Sequence, residues 1–306
     1  DACQEDDDEE MDEGSDTRPI TEIPTLKSVA AKVAKQENKI LDEKQYIAYE
    51  IIAASFVLDT IEKEEDSSAS SSLLGQLDTD QKARLIRKLQ ALGGHSQLIM
   101  FLTGFAGAGK STCVTIAERY CFEFCRAVSI PWNDDMFLFT ATTGAAASLF
   151  GGTTIHDAAF LNGKDSNISN AKREQWRRVS ILIIDEISFF TRNNITKLDN
   201  KLKNIKGVQN KPYGGVSIVF SGDFHQLAPP YNDEADTLLY DGRTNGFFLG
   251  NINSVMILEV SHRFDEDPEY GEVLHRMWSG NFTVDDVRYI NTRVVGQNGV
   301  TLPPDC

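Results

Sequence analysis

The 306-residue chain contains no uninterrupted apolar run approaching the eighteen or so residues that a transmembrane helix needs. Its first residues are acidic where a secretory signal would be basic and then apolar. It is therefore expected to carry neither a membrane span nor a cleaved signal in these residues; as a separate expectation it is intracellular, in the nucleus or mitochondrion if eukaryotic. Cysteine is scarce and odd in number: Cys3, Cys113, Cys121, Cys125 and Cys306 are scattered, and no two have the C-x2-C spacing of a structural zinc site. They read as reduced thiols, with Cys121 and Cys125 as small buried apolar residues on one helix face. Basic residues are in deficit, 30 against 46 acidic, for a net charge of −16.

Much of that charge sits in one place. Asp1, Glu5, Asp6, Asp7, Asp8, Glu9, Glu10, Asp12, Glu13 and Asp16 occupy the first sixteen positions without a single Lys or Arg. Removing these ten leaves 36 acidic against 30 basic residues, which disfavours a large nucleic-acid-coating surface but leaves room for a local basic groove. Residues 1–25 are expected to be a disordered acidic tail, with an arm that docks a protein partner or mimics DNA as the functional alternative. A composition of 41% hydrophobic and 25% charged residues excludes collagen-like, mucin-like and wholly disordered chains.

After the tail, residues 26–97 read as a helical region. Leu26 to Lys44 is polar and Lys-rich, with weak helical spacing and no sign of a core. LDEKQYIAYEIIAASFVL, from Leu41 to Leu58, predicts an amphipathic helix that Asp42 can cap. Residues 62–80, rich in Ser and acidic groups, predict a flexible insertion. A second helix, Gln81 to Leu92, should end at Gly93-Gly94.

The pattern then changes. LIMFLT (Leu98 to Thr103), MFLFT (Met136 to Thr140), SILII (Ser180 to Ile184) and VSIVFS (Val216 to Ser221) are short continuous apolar runs, as expected of strands buried on both faces. A helical segment, Lys110 to Ala127, separates the first two. This rhythm predicts an α/β fold: a doubly wound, mostly parallel sheet with helices on both faces.

Three segments carry the chemistry. GFAGAGKS, Gly104 to Ser111, follows the first buried strand and opens a helix, which is the context a G-x-x-x-x-G-K-[ST] phosphate loop requires. Gly104, Gly107 and Gly109, with Ala108 between, let successive N–H groups converge on a triphosphate at the helix N-terminus. Lys110 is expected to reach the β- and γ-phosphates, Ser111 to coordinate Mg²⁺ and Thr112 to support the phosphate end. The third run ends in ILIIDEIS, so Asp185 and Glu186 fall at a strand's carboxyl end: Asp185 for Mg²⁺, Glu186 as the general base that activates water. The fourth runs into SGDFHQLAPP, residues 221 to 230, where Gln226 is placed to bond a γ-phosphate.

Together these segments resemble the RecD-like and Pif branch of superfamily-1 DNA helicases, whose corresponding motifs are DEISM and GDFxQLPPV. The substitutions here, Phe189 and Ala228, stand at packing positions. The resemblance runs from about Leu41 to the end of the chain and implies further roles: Gln45 in LDEKQYIAYE as the adenine reader; Thr143, Gly144, Thr154 and His156 in TATTGAAASLFGGTTIH as the single-strand track; and Arg263 in LEVSHRF near the γ-phosphate. It implies a RecA-like ATPase domain over residues 98–265, with a small wedge insertion at about 160–178. Residues 266–306 would begin the connection to a second RecA-like domain, so the chain is expected to be a fragment that alone binds nucleotide weakly and does not unwind DNA.

The resemblance implies a monomeric, ATP- and Mg²⁺-dependent 5′–3′ helicase motor acting on single-stranded DNA and duplex junctions in repair, recombination or telomere maintenance. A nucleotide-binding switch or assembly module is the alternative from another class, and a degenerate helicase copy a third. Residue by residue, other readings stay open. His156 and His225 could cap or pack; Trp132, Trp176 and Trp278 could be core or stack on bases; and Lys172, Arg173, Arg177 and Arg178 could touch phosphates or form a solvated helix face.

Overall fold

The four apolar runs form the middle of a sheet. The computed structural model describes residues 23–37, 39–65, 72–149, 151–163, 168–227, 229, 237–238, 246–261 and 263–296. Among these, strands β1 (Ile99–Gly104), β2 (Phe137–Ala141), β3 (Thr153–Thr154), β4 (Ile181–Asp185), β5 (Ser217–Gly222) and β6 (Ser254–Leu258) pair in the order β3-β2-β4-β5-β1-β6. Every pairing is parallel. Side chains of a strand alternate between faces, and the two faces are covered by different helices. In β4, Ile181 and Ile183 enter a core shared with helices α1 (Leu26–Glu37), α2 (Glu43–Glu65), α3 (Thr79–Ala91) and α4 (Lys110–Ala127). Leu182 and Ile184 enter the opposite core. Beyond β2, helix α5 (Gly144–Leu149) leads to β3. The opposite core is closed by α6 (Ile155–Ala158), α7 (Asn170–Arg178), α8 (Arg192–Lys206) and α9 (Gly246–Asn251), and α10 (Pro268–Trp278) and α11 (Val284–Asn291) complete the chain. The doubly wound α/β expectation holds.

Several sequence expectations are corrected. Leu26 to Lys44 does contribute to the core: Val29 and Val33, one helical turn apart, are buried in the cluster that includes α4, while the rest of α1 stays polar. The helix from Leu41 is not amphipathic, because α2 lies among α1, α3, α4 and the sheet and is buried around most of its middle from Gln45 to Ile61. The Ser-rich insertion is shorter than expected. Helix α2 runs through Glu65, Leu74 is buried in the core, Leu73 N–H donates to Val128 C=O at 3.0 Å, and Asp78 forms a capping box with Gln81. Only 66–71 fall outside the described residues, as do 1–22 of the acidic tail.

The segment expected as a wedge packs onto the sheet, with Leu161, Ile168 and Trp176 buried in the second core; residues 164–167 are not described. Trp176 is wholly buried and donates Nε1–H to Ala158 C=O at 3.0 Å, which settles its reading as core. Trp176→Ala should therefore cost about 3–5 kcal/mol of stability, measured as a fall in the urea midpoint at unchanged slope. Arg177 and Arg178 are solvated and pair with Glu174 and Asp135.

Candidate active site

The carboxyl ends of β1, β4, β5 and β6 lie side by side, and the loops leaving them build one cleft of about 580 Å³. Its floor is the phosphate loop. Gly109 caps α4 in the left-handed conformation, φ 76°, with no capping side chain, so the first N–H groups of the helix remain available to a ligand. A Cβ added there would stand 2.4 Å from Gln45 Nε2, and one added at Gly107, φ 81°, would stand 2.4 Å from Arg263 Cβ. Glycine is thus demanded by backbone angle and by close approach. Gly109→Ala should abolish nucleotide binding, measured by calorimetry, while leaving a cooperative thermal transition.

Lys110 crosses the loop to donate Nζ–H to Gly104 C=O at 2.9 Å. Burial lowers its pKa, an effect opposed by Asp185, Asp223 and Glu186, which all face it. Asp185 is oriented by Ser221, whose hydroxyl donates to Oδ1 at 2.7 Å. Glu186 has φ 56° and ψ 44°, unusual for a residue with a Cβ, and such strain persists only where the surroundings enforce it. Thr142 does so here: its N–H donates to Asp185 C=O at 3.0 Å and its hydroxyl to Glu186 C=O at 2.7 Å. Burial, then the neighbouring Asp185 charge, raises the Glu186 pKa, and Lys110 pulls it back down. A carboxylate of raised proton affinity is what a general base needs.

Lys110, Ser111, Thr112, Asp185, Glu186, Gln226 and Arg263 all line the cleft, together with Gly107, Ala108 and Gly109. Gln45 does not. It lies behind the loop at 2% exposure, donating Nε2–H to Ala108 C=O at 3.0 Å and accepting Asp42 N–H at 3.0 Å in a reciprocal cap with Asp42. One N–H and the carbonyl oxygen of its amide are bonded to protein, so in this structure Gln45 supports the loop from behind. The resemblance-derived strand-track residues gather at the carboxyl ends of β2 and β3. Thr143 accepts Ala146 N–H, Gly144 begins α5 with open space where a Cβ would be, and Thr154 caps α6. His156 is half-buried, bonded to Asn194 at 3.2 Å and packed edge-on against Phe190.

Five contributors to the site were not assigned from sequence: Thr142, Ser221, Asp223, Ser261 and Trp278. Ser261 donates to Ala106 C=O at 2.8 Å and accepts Arg263 N–H at 3.3 Å, fastening the arginine segment to the loop. Asp223, 1% exposed, accepts from His225, Gln226 and Trp278. It stands inside the quoted SGDFHQ run, and its place two residues beyond the apolar run that ends at Ser221 was the available signal.

Among the described residues no three His, Cys, Asp or Glu side chains cluster as a metal cage. The oxygen donors at the cleft, Ser111 and Asp185, instead fit Mg²⁺, which is typically held by one or two carboxylates plus substrate phosphates.

Parallel sheet, phosphate loop and strand-end carboxylates define a RecA-like P-loop NTPase fold. The PIF1-like helicase family model matches residues 76–239, and the chain belongs to that family. The ATP-dependent DNA helicase PIF1 of Candida albicans is 31% identical over 65% of this chain and 22% of its own length. RRM3 of Saccharomyces cerevisiae, also an ATP-dependent DNA helicase, is 26% identical over 76% of this chain and 32% of its own. Among solved structures, the Pif1 helicase of Candida albicans superposes with a TM-score of 0.54 and 25% identity, over 75% of this chain and 50% of that one. The chain thus spans a third or less of these curated relatives and half of that solved structure. Gln45 and Arg263 lie outside the family-matched span.

Proposed function

We propose that the cleft binds and hydrolyses ATP with Mg²⁺ and is the motor site of a DNA helicase that translocates 5′ to 3′ on single-stranded DNA. The observation that carries this reading is the convergence of Lys110, Asp185, Glu186, Gln226 and Arg263 on one cleft above a phosphate loop. In it, the loop N–H groups and Lys110 hold the β- and γ-phosphates. Ser111 and Asp185 would hold Mg²⁺, which when bound neutralises phosphate charge. Glu186 accepts a proton from the attacking water, while Gln226 and Arg263 meet the γ-phosphate oxygens as charge spreads over them. ATP and Mg²⁺ are accordingly the proposed ligands, and single-stranded DNA and duplex junctions the proposed partners.

Polarity, substrate preference and work in repair, recombination or telomere maintenance follow from the family resemblance. Thr143, Gly144 and Thr154 are the proposed strand contacts, since they are the track residues at the carboxyl ends of β2 and β3; His156 supports that end through Asn194. Strand separation from duplexes with a 5′ or a 3′ tail tests the reading in the protein that contains this chain. ATP-dependent release from the 5′-tailed substrate alone is expected; release from the 3′-tailed one, or none from either, would overturn it.

A further inference from the structure

Asp223 is the one cleft carboxylate given no part in the chemistry above. Its carboxylate is fully engaged. Oδ1 accepts His225 N–H at 2.9 Å and lies 3.2 Å from His225 Nδ1, while Oδ2 accepts Trp278 Nε1–H at 2.9 Å and Gln226 Nε2–H at 3.3 Å. Two donors therefore share Oδ2, one from the loop after β5 and one from the last residue of α10. The indole is built into the site on its other sides too: its ring lies 4.7 Å from the His225 ring and 6.3 Å from Phe105 in the phosphate loop, and it lines the cleft beside Gln226.

We propose that Asp223 is a positioning residue that couples Gln226 to helix α10 through the Trp278 indole, so that an occupied γ-phosphate position is transmitted to the segment following Arg263. This rests on the nucleotide reading of the cleft. A γ-phosphate offers only acceptor oxygens, so Gln226 must present its Nε2 amide, and swinging that group towards the phosphate draws it off its long, 3.3 Å bond to Asp223. Turning to phosphate releases Oδ2 to Trp278 alone, and a hydrogen bond to a buried, charged acceptor strengthens when it is no longer shared. With a diphosphate, Gln226 returns to Asp223 and the hold on the indole slackens. The two states differ by one exchanged hydrogen bond, and α10 is the element both bias.

Trp278 is also its own reporter, because Trp132 and Trp176 line no part of the cleft. Tryptophan emission of the full chain is measured with Mg²⁺ and saturating AMP-PNP or ADP, with calorimetry showing that each nucleotide is bound. We expect AMP-PNP to change the emission and ADP to leave it near that of the free protein. Trp278→Phe, which removes the reporting indole, should abolish the change and so assign it to this residue; Asp223→Ala and Gln226→Ala, which remove the shared acceptor and its competing donor, should each make the two nucleotides equivalent. Equal responses to AMP-PNP and ADP in the wild type, or a difference that survives in Trp278→Phe, would overturn the coupling while leaving the nucleotide site intact. Calorimetry that finds neither nucleotide bound to the wild type would instead remove the nucleotide reading, and the coupling with it.

Discussion

Lys110→Ala is expected to lower ATP turnover by about 10³ or more, about 4 kcal/mol of transition-state stabilisation. Two losses combine. The cleft holds Asp185, Glu186 and Asp223 against Lys110 and Arg263, so without Lys110 three carboxylates and one cation must receive a polyanion. Lys110 also depresses the proton affinity of Glu186, which burial and Asp185 raise. Its removal pushes Glu186 further towards the protonated form, which cannot accept a proton from water. Because Lys110 spans the loop and is not part of either core, the thermal transition should be retained; a variant that turns over ATP at the wild-type rate would show that the loop is not the phosphate site.

Glu186→Gln should separate binding from chemistry. The amide keeps the shape but cannot take the proton, so turnover should fall by about 10² to 10⁴ with Mg-ATP affinity nearly unchanged. Asp185→Asn should act differently, raising the Mg²⁺ concentration needed for half-maximal turnover, because Asp185 rather than Glu186 is oriented by Ser221. Titrations of ATP at fixed Mg²⁺, and of Mg²⁺ at fixed ATP, distinguish the two. If both variants changed only ATP affinity, the assigned roles would be wrong.

What was legible in the sequence follows from where each segment is buried. The strands β1, β2, β4 and β5 are covered on both sides for most of their length, so they appear as unbroken apolar runs, and the residues at their carboxyl ends could be placed before any geometry was known. The edge strand β6 is different. Val255 and Ile257 are exposed and only Leu258 is buried, so its apolar run, Val255 to Leu258, is covered on one face only and was not picked out with the other four; its place beside β1 is fixed by Asn253, which bonds Ile99 N–H and Gln97 C=O. The docking of helix α1 onto the core was missed because two valines suffice for it while the remaining face is polar. Helix α2 gave the opposite error, its periodicity blurred by burial on several sides.

At the site, residues of the phosphate-loop and strand-end motifs were readable because backbone conformation and charge demand particular types at fixed spacing. Thr142, Ser221 and Ser261 were not, because each acts through one hydroxyl aimed at a partner tens to more than a hundred positions away in sequence. Gln45 shows the same limit. Its position in the chain was right for contact with the loop, but only the fold reveals that its amide bonds Asp42 and Ala108.

The most direct test of the motor reading is steady-state ATP hydrolysis by the protein containing these residues, measured with and without single-stranded DNA, for the wild type and for Glu186→Gln. Turnover that rises with DNA in the wild type and is lost in the variant under both conditions is the expected result; hydrolysis indifferent to DNA, or undiminished in Glu186→Gln, would contradict it.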